Sequence, residues 1–299
     1  MTKKNILNVG KLLLVLLLVT AIISASASIF AKTKDNSDNI DSNIAISKPQ
    51  YTASPLAGKY ISFLGDSITT YEGWSNSTAF NSSIGQNAVY YNSATGLSVN
   101  DTWWKQLIDT NGMRLCVNNS WSAARLSSRT DPLIPSAYER YPNLNNNKGI
   151  SPDIIMIYLG TNDVATSGVA SSVTVDGVLS NYDAGFECLV DIPVYSLVYT
   201  VLEILESYEA DVFLCTLLPE SRDENSKEFL DYLNEQIRYF DGYQNRVHVV
   251  DLYEDTGITF DNYQDYYIDD GNMRVHPNAV GMDLITKCVQ NKFKEVYDF

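Results

Sequence analysis

A chain of 299 residues with 36 acidic and 21 basic side chains carries a net charge of −15, which argues against nucleic acid or an anionic membrane surface as its main partner. With 45% apolar residues and 20 tyrosines, the composition is that of a folded protein with a sizeable core rather than a disordered chain. Four widely spaced cysteines, Cys116, Cys188, Cys215 and Cys288, spell neither a zinc site nor a disulfide-rich scaffold, and leave room for one bridge.

The amino terminus has three parts. Lys3, Lys4 and Lys11 precede the apolar run 12–23, and Ala25-Ser26-Ala27 follows as a small-residue cleavage site, the pattern of a secretory signal. Cleavage after Ala27 is expected. The competing reading is an uncleaved anchor, because apolar character continues to Ala31 and the run is just long enough to span a bilayer. Residues 28–57 are rich in Asn, Asp, Ser and Lys without apolar periodicity and read as a flexible linker, so the folded domain is placed at 58–299. About 240 residues suit one α/β domain.

Within that domain the first strand is Tyr60–Leu64, followed by a polar, glycine-punctuated loop. A helix contains Trp103 to Ile108, with Trp103, Leu107 and Ile108 on a core face. Leu115–Val117 is a short second strand, and the unbroken apolar run Ile154–Leu159 has the composition of a strand covered on both faces. Further strands fall at Asp211–Leu218 and Val247–Val250, with Cys215 as a buried strand residue. Helices are expected at Val194–Tyr208 and Lys227–Phe240, the latter capped by Ser226 or Asn225, and a last one from about Asn278 to Tyr297 with Pro277 at its start. Strands alternating with helices predict a three-layer α/β/α domain around a central parallel sheet. Residues Val164–Pro193 show no sustained period and read as a long loop, open to substrate recognition or inert insertion.

The chemistry gathers at a few places. Gly65-Asp66-Ser67 ends the first strand, so Ser67 sits where the chain must turn sharply at the carboxyl edge of a sheet, the edge at which open α/β sheets bind ligands. Backbone N–H groups of such a turn can stabilise a developing negative charge. The chain has two histidines. His248 lies inside a strand pattern and is assigned a structural role, whereas His276 stands in a polar approach to the last helix and is the candidate base. Asn162, just after the apolar strand, projects from the same edge. Asp261, Asp265 and Asp269 recur every fourth residue, a spacing that does not match a calcium loop and reads as a solvated face. Nothing in the sequence proposes a cofactor.

In order, Gly65-Asp66-Ser67, Asn118-Asn119-Ser120-Trp121-Ser122-Ala123, Gly160-Thr161-Asn162-Asp163 and His276-Pro277-Asn278 resemble the blocks of the SGNH/GDSL hydrolase family over roughly residues 58–297. The resemblance implies a flavodoxin-like fold and a serine esterase, with Ser67 as nucleophile, His276 as base, and the Ser67 N–H, the Ala123 N–H and the Asn162 amide as oxyanion donors. Two positions depart from the family. Ala123 stands where the family has glycine, which is harmless at negative φ and strained at positive φ. Met273 stands where the family places the orienting aspartate, leaving Asp270, Asp269, Asn272 or a backbone carbonyl for that role, with Asp270 preferred because Gly271 would let the segment bulge. The implied activity is hydrolysis of a carboxylic ester, such as an O-acetyl group on extracellular or cell-wall carbohydrate, by a secreted or surface-anchored protein that needs no cofactor. The alternatives are a catalytically inactive carbohydrate-binding or surface-interaction module, or an acyltransferase or lipase with the same chemistry.

Overall fold

The computed structural model describes residues 54–75, 80–81, 86–128, 135–166, 172–182, 191–220, 226–269 and 274–299. The leader and most of the linker lie outside these residues. Five parallel strands form one sheet: β1 (Tyr60–Gly65), β2 (Arg114–Ser120), β3 (Ile154–Tyr158), β4 (Asp211–Cys215) and β5 (Val247–Val250). Their order is β2-β1-β3-β4-β5, the doubly wound order in which the chain reverses direction across the sheet between β1 and β3. A two-residue ribbon pair, Phe80–Asn81 with Gln86–Asn87, stands apart from it.

Connections between parallel strands need crossovers, and helices supply them. Before the last strand come α1 (Trp103–Asn111), the single turn α2 (Ala137–Arg140), α3 (Val175–Ser180), α4 (Pro193–Ser207) and α5 (Ser226–Arg238); the short α6 (Leu252–Asp255) and α7 (Ala279–Tyr297) follow it. One layer is built from α1 and α7, and in the other α4 packs against α2, α3 and α5. Phe63 of β1 meets Trp103 edge-on at 5.4 Å, and Phe213 of β4 meets Phe293 of α7 at 4.7 Å, so aromatic packing joins the sheet to the first layer. Asn111 and Gln290 exchange side-chain hydrogen bonds of 2.6 and 3.1 Å, which satisfies both amides at the α1–α7 seam.

Every residue of β3 is buried, as a central strand covered on both faces requires. β2 runs three residues beyond the expected Leu115–Val117, because Asn118, Asn119 and Ser120 are polar yet buried. Asn118 donates to the Thr69 carbonyl (2.9 Å) and Asn119 to that of Arg140 (3.1 Å), so both amide nitrogens enter the sheet with acceptors. β4 stops at Cys215, short of Leu218; after Thr216 donates to Val250 the chain leaves the ladder, and the Asn234 side chain takes both backbone groups of Leu217. The region expected to be one long loop contains α3, capped by the Thr174 hydroxyl; residues 167–171 and 183–190 lie outside the described part. His248 on β5 lies against Phe213 at 4.9 Å, and burial lowers its pKa, in keeping with a structural residue. Cys116, Cys215 and Cys288 are buried free thiols, and Cys188 is outside the described residues.

Register places the site. Gly65 pairs with Ser120 on one side and with Tyr158 on the other, so β1, β2 and β3 end in one row. The segments that leave those ends, 66–69, 121–124 and 159–162, therefore emerge together at the carboxyl edge and at the switch point.

Candidate active site

The chain turns out of β1 through a single 3-10 turn, Ser67–Thr69, capped by Asp66, whose carboxylate accepts from the Ile68 N–H at 2.9 Å. A Cβ on Gly65 would fall 2.7 Å from the Thr69 side chain and 2.8 Å from Ser120 Oγ, so only glycine lets the turn fold back on the strand ends. Beneath it Arg140 is buried, donating to the Gly65 carbonyl (3.1 Å) and the Asn119 carbonyl (2.7 Å). Burial lowers the guanidinium pKa to about 10, opposed by the nearby Asp66 and Glu139, which leaves it charged at neutral pH.

Ser67 and His276 come together. His276 Nε2 lies 2.9 Å from Ser67 Oγ across 209 positions of sequence, with both residues buried (6% and 7% exposed). In the tautomer that carries its proton on Nδ1, Nε2 accepts from the hydroxyl. The segment around His276 is fixed by backbone bonds: the His276 carbonyl accepts from Ile268, Asn278 N–H donates to the Tyr266 carbonyl, and Asn278 caps α7 through Val280 and Gly281. Gly281 is needed for close approach, since a Cβ there would sit 2.5 Å from the Tyr266 oxygen. Two aromatic residues absent from the sequence reading face the imidazole. Tyr90 stacks on it, with centroids 3.3 Å apart and planes 13° from parallel, and Tyr91 stands edge-on at 6.1 Å while its hydroxyl donates to the Pro277 carbonyl.

The third segment is Trp121–Ala124, a turn closed by the Ala124 N–H on the Trp121 carbonyl. Ala123, third in this turn, has φ +63°, the left-handed value that a type II turn places at that position and that glycine adopts freely. The alanine is therefore strained. Among the described residues, neither the Ser67 N–H nor the Ala123 N–H donates to a protein acceptor. Asn162 Nδ2 donates to the Ala124 carbonyl at 2.9 Å, so this amide is tied to the same turn. Asp163, fully buried, accepts from the N–H groups of Leu126 (2.8 Å) and Ser127 (3.1 Å) and from the Ser127 hydroxyl, stapling the loop after β2 to the end of β3. Burial pushes its pKa from 3.8 up to about 6 against the opposing pull of those donors.

Of the acids considered for orienting His276, Asp269 is an exposed carboxylate paired with Arg274 at 3.0 Å. Asp270, Asn272 and Met273 lie outside the described residues. What the described groups can do together is present a hydroxyl hydrogen-bonded to an imidazole beside backbone and amide donors, the requirements of acyl transfer through an oxyanion.

Two outcomes follow from the strain and the staple. Ala123→Gly removes a left-handed alanine that costs about 1–2 kcal/mol, less what glycine adds to unfolded-chain entropy, so urea unfolding should show a gain of up to about 1 kcal/mol. A loss of stability would contradict the backbone assignment. Because Asp163 holds its proton more tightly in the folded state, the stability it contributes is present below about pH 4 and lost as pH rises through about 6. Compared with Asp163→Asn, the wild-type protein should lose on the order of 2–3 kcal/mol across that window and nothing further above about pH 7, as read from unfolding curves at a series of pH values. Parallel pH profiles would remove the shift.

A family model described as GDSL-like Lipase/Acylhydrolase family matches residues 63–284, a span that contains Ser67, Ala123, Asn162 and His276. A comparison with curated protein sequences gives no significant match. Among solved structures, the chain is similar to a GDSL-like lipase candidate from Bacteroides ovatus, with 22% identity and a TM-score of 0.56 over 80% of this chain and 99% of that one. It is likewise similar to one from Bacteroides uniformis, with 21% identity and a TM-score of 0.53 over 78% of this chain and 94% of that one. With the match running through all four strand-end and loop segments of the site, the chain belongs to the GDSL-like lipase/acylhydrolase family and is a serine ester hydrolase.

Proposed function

We propose that Ser67 is the nucleophile, His276 the general base, and the Ser67 N–H, the Ala123 N–H and the Asn162 amide the oxyanion donors of this hydrolase. The observation that carries the proposal is the 2.9 Å approach of His276 Nε2 to Ser67 Oγ at the end of β1. Ser67 Oγ attacks the ester carbonyl carbon and its proton passes to Nε2, while the carbonyl oxygen gains the negative charge that the donors meet. Collapse breaks the bond to the alcohol oxygen, which leaves with the proton from His276. A water then repeats the sequence on the acyl-serine and releases the acid. Asp270 is proposed to accept from Nδ1 and hold the tautomer, a reading supported by the engagement of Asp269 with Arg274.

We further propose an O-acetyl or similar acyl group on extracellular or cell-wall carbohydrate as substrate, and a secreted or surface-anchored location. The leader supports the location. Trp74, 42% exposed on the loop that follows Ser67 with Trp104 and the Lys105 ammonium beside its ring, supports a sugar substrate, because a partly exposed indole can stack on a pyranose ring.

Kinetics on p-nitrophenyl acetate test the roles. Ser67→Ala should abolish turnover with the fold intact, and Asn162→Ala should lower kcat by roughly 10²–10³. Asp270→Asn should lower it by orders of magnitude, and Asp269→Asn by under about tenfold. Full activity in a folded Ser67→Ala protein would remove the nucleophile, and equal small losses in the two aspartate variants would leave a Ser–His dyad. Mass spectrometry of the protein from its native host should find an amino terminus near Ser28; intact Met1 confined to membranes would instead make the segment an anchor.

A further inference from the structure

We infer that Tyr90 is a positioning residue for the reaction proposed above: its ring face holds the His276 imidazole toward Ser67 and stabilises the imidazolium that forms when the base takes the serine proton. The inference rests on that reading of His276 and adds a residue to it.

Two uncharged aromatic rings favour offset or edge-on arrangements over a face-to-face sandwich, because their like-charged faces repel. Tyr91 follows this rule, perpendicular to the imidazole at 6.1 Å. Tyr90 breaks it, lying nearly parallel with centroids 3.3 Å apart. A sandwich of that kind suits a ring that carries positive charge, since a cation over an aromatic face is attracted by its quadrupole. The stack is matched to the protonated base.

Tyr90 is also referenced to the nucleophile. Its N–H donates to Thr70 Oγ1 at 2.9 Å, and that hydroxyl donates to the carbonyl of Ser67 at 2.8 Å. The plane against which His276 rests is therefore set by two hydrogen bonds from the peptide of the residue it activates. Tyr91 acts from the next position by holding the Pro277 carbonyl at 2.9 Å. A ring confined between these residues has little freedom to rotate away from Ser67.

The groups described against the imidazole include the Ser67 hydroxyl and the Tyr90 and Tyr91 phenols. On the His276 segment, Asp269 is paired with Arg274, and Asp270 lies outside the described residues. Tyr267, whose backbone bridges to Pro277, turns its hydroxyl to the Pro219 carbonyl at 2.7 Å, with Glu220 bearing on that hydroxyl.

The chain has two histidines, so an imidazole NMR titration reports two rings and His248→Gln assigns them. Tyr90→Leu should lower the His276 pKa by roughly half a unit to one and a half units, and Tyr90→Phe should leave it within about 0.3 unit. Should the leucine variant fail to fold, Tyr90→pentafluorophenylalanine keeps the shape and reverses the charge of the ring face, and must lower the pKa below that of Tyr90→Phe. An unchanged pKa in a folded leucine or pentafluoro protein overturns the inference, as does an equal drop in the phenylalanine variant, which would assign the effect to the hydroxyl. The titration needs no substrate, so its result is separable from failure of the protein to turn over esters. Where esters are turned over, the acidic limb of kcat/KM should move to lower pH with the same shift in Tyr90→Leu.

Discussion

The site depends on three parallel strands ending level, and the charge that ties two of those ends together is buried beneath them. Arg140 reaches from a single helical turn to the last carbonyl of β1 and to the Asn119 carbonyl of β2, and it keeps its proton despite burial. A guanidinium in that position is costly unless its donors are used; here Nη1 spans the two strand carbonyls and Nε donates to the Ser136 carbonyl at 3.4 Å, while Nη2 has no partner among the described residues. Asp163 makes the corresponding tie on the other side, joining the end of β3 to the loop that leaves β2. Between these two buried ions the segments carrying Ser67, Ala123 and Asn162 are held in one frame.

Much of this was legible in the sequence. Apolar runs bounded by glycine and polar clusters marked all five strands, because a strand covered on both faces has little choice of composition. Gly65-Asp66-Ser67 and Gly160-Thr161-Asn162-Asp163 could be placed at strand ends for the same reason. With one histidine inside a strand, His276 was the remaining candidate, and it does meet Ser67. The parts that were not legible depend on long-range partners. The extension of β2 runs through Asn118, Asn119 and Ser120, which look like loop residues until their partners at Thr69 and Arg140 are known. Arg140, Tyr90 and Tyr91 gave no signal because a lone arginine or a tyrosine pair has many uses, and only packing chooses among them.

Ala123 shows how a departure from a family pattern is absorbed. The sequence posed a condition on its φ, and the fold answers it with a left-handed alanine at the third position of the turn from Trp121 to Ala124. The backbone N–H keeps its place and the cost falls on stability. Strain of this kind persists when the surroundings over-determine the backbone, and here the Ser122 N–H on the Ala88 carbonyl, the Ala124 turn bond and the Asn162 amide do so.

Ser67 and His276 stand 209 positions apart in the sequence, and that separation bears on how the pair is assembled. Ser67 follows the first strand and His276 precedes α7, so a chain cut before His276 has all five strands and no imidazole against the Ser67 hydroxyl. A contact over such a span carries a chain-closure entropy that the packing between its ends must offset. The Ser67–His276 contact therefore exists only where both ends of the domain are in place, and α7, seated on α1, holds the segment that carries the imidazole.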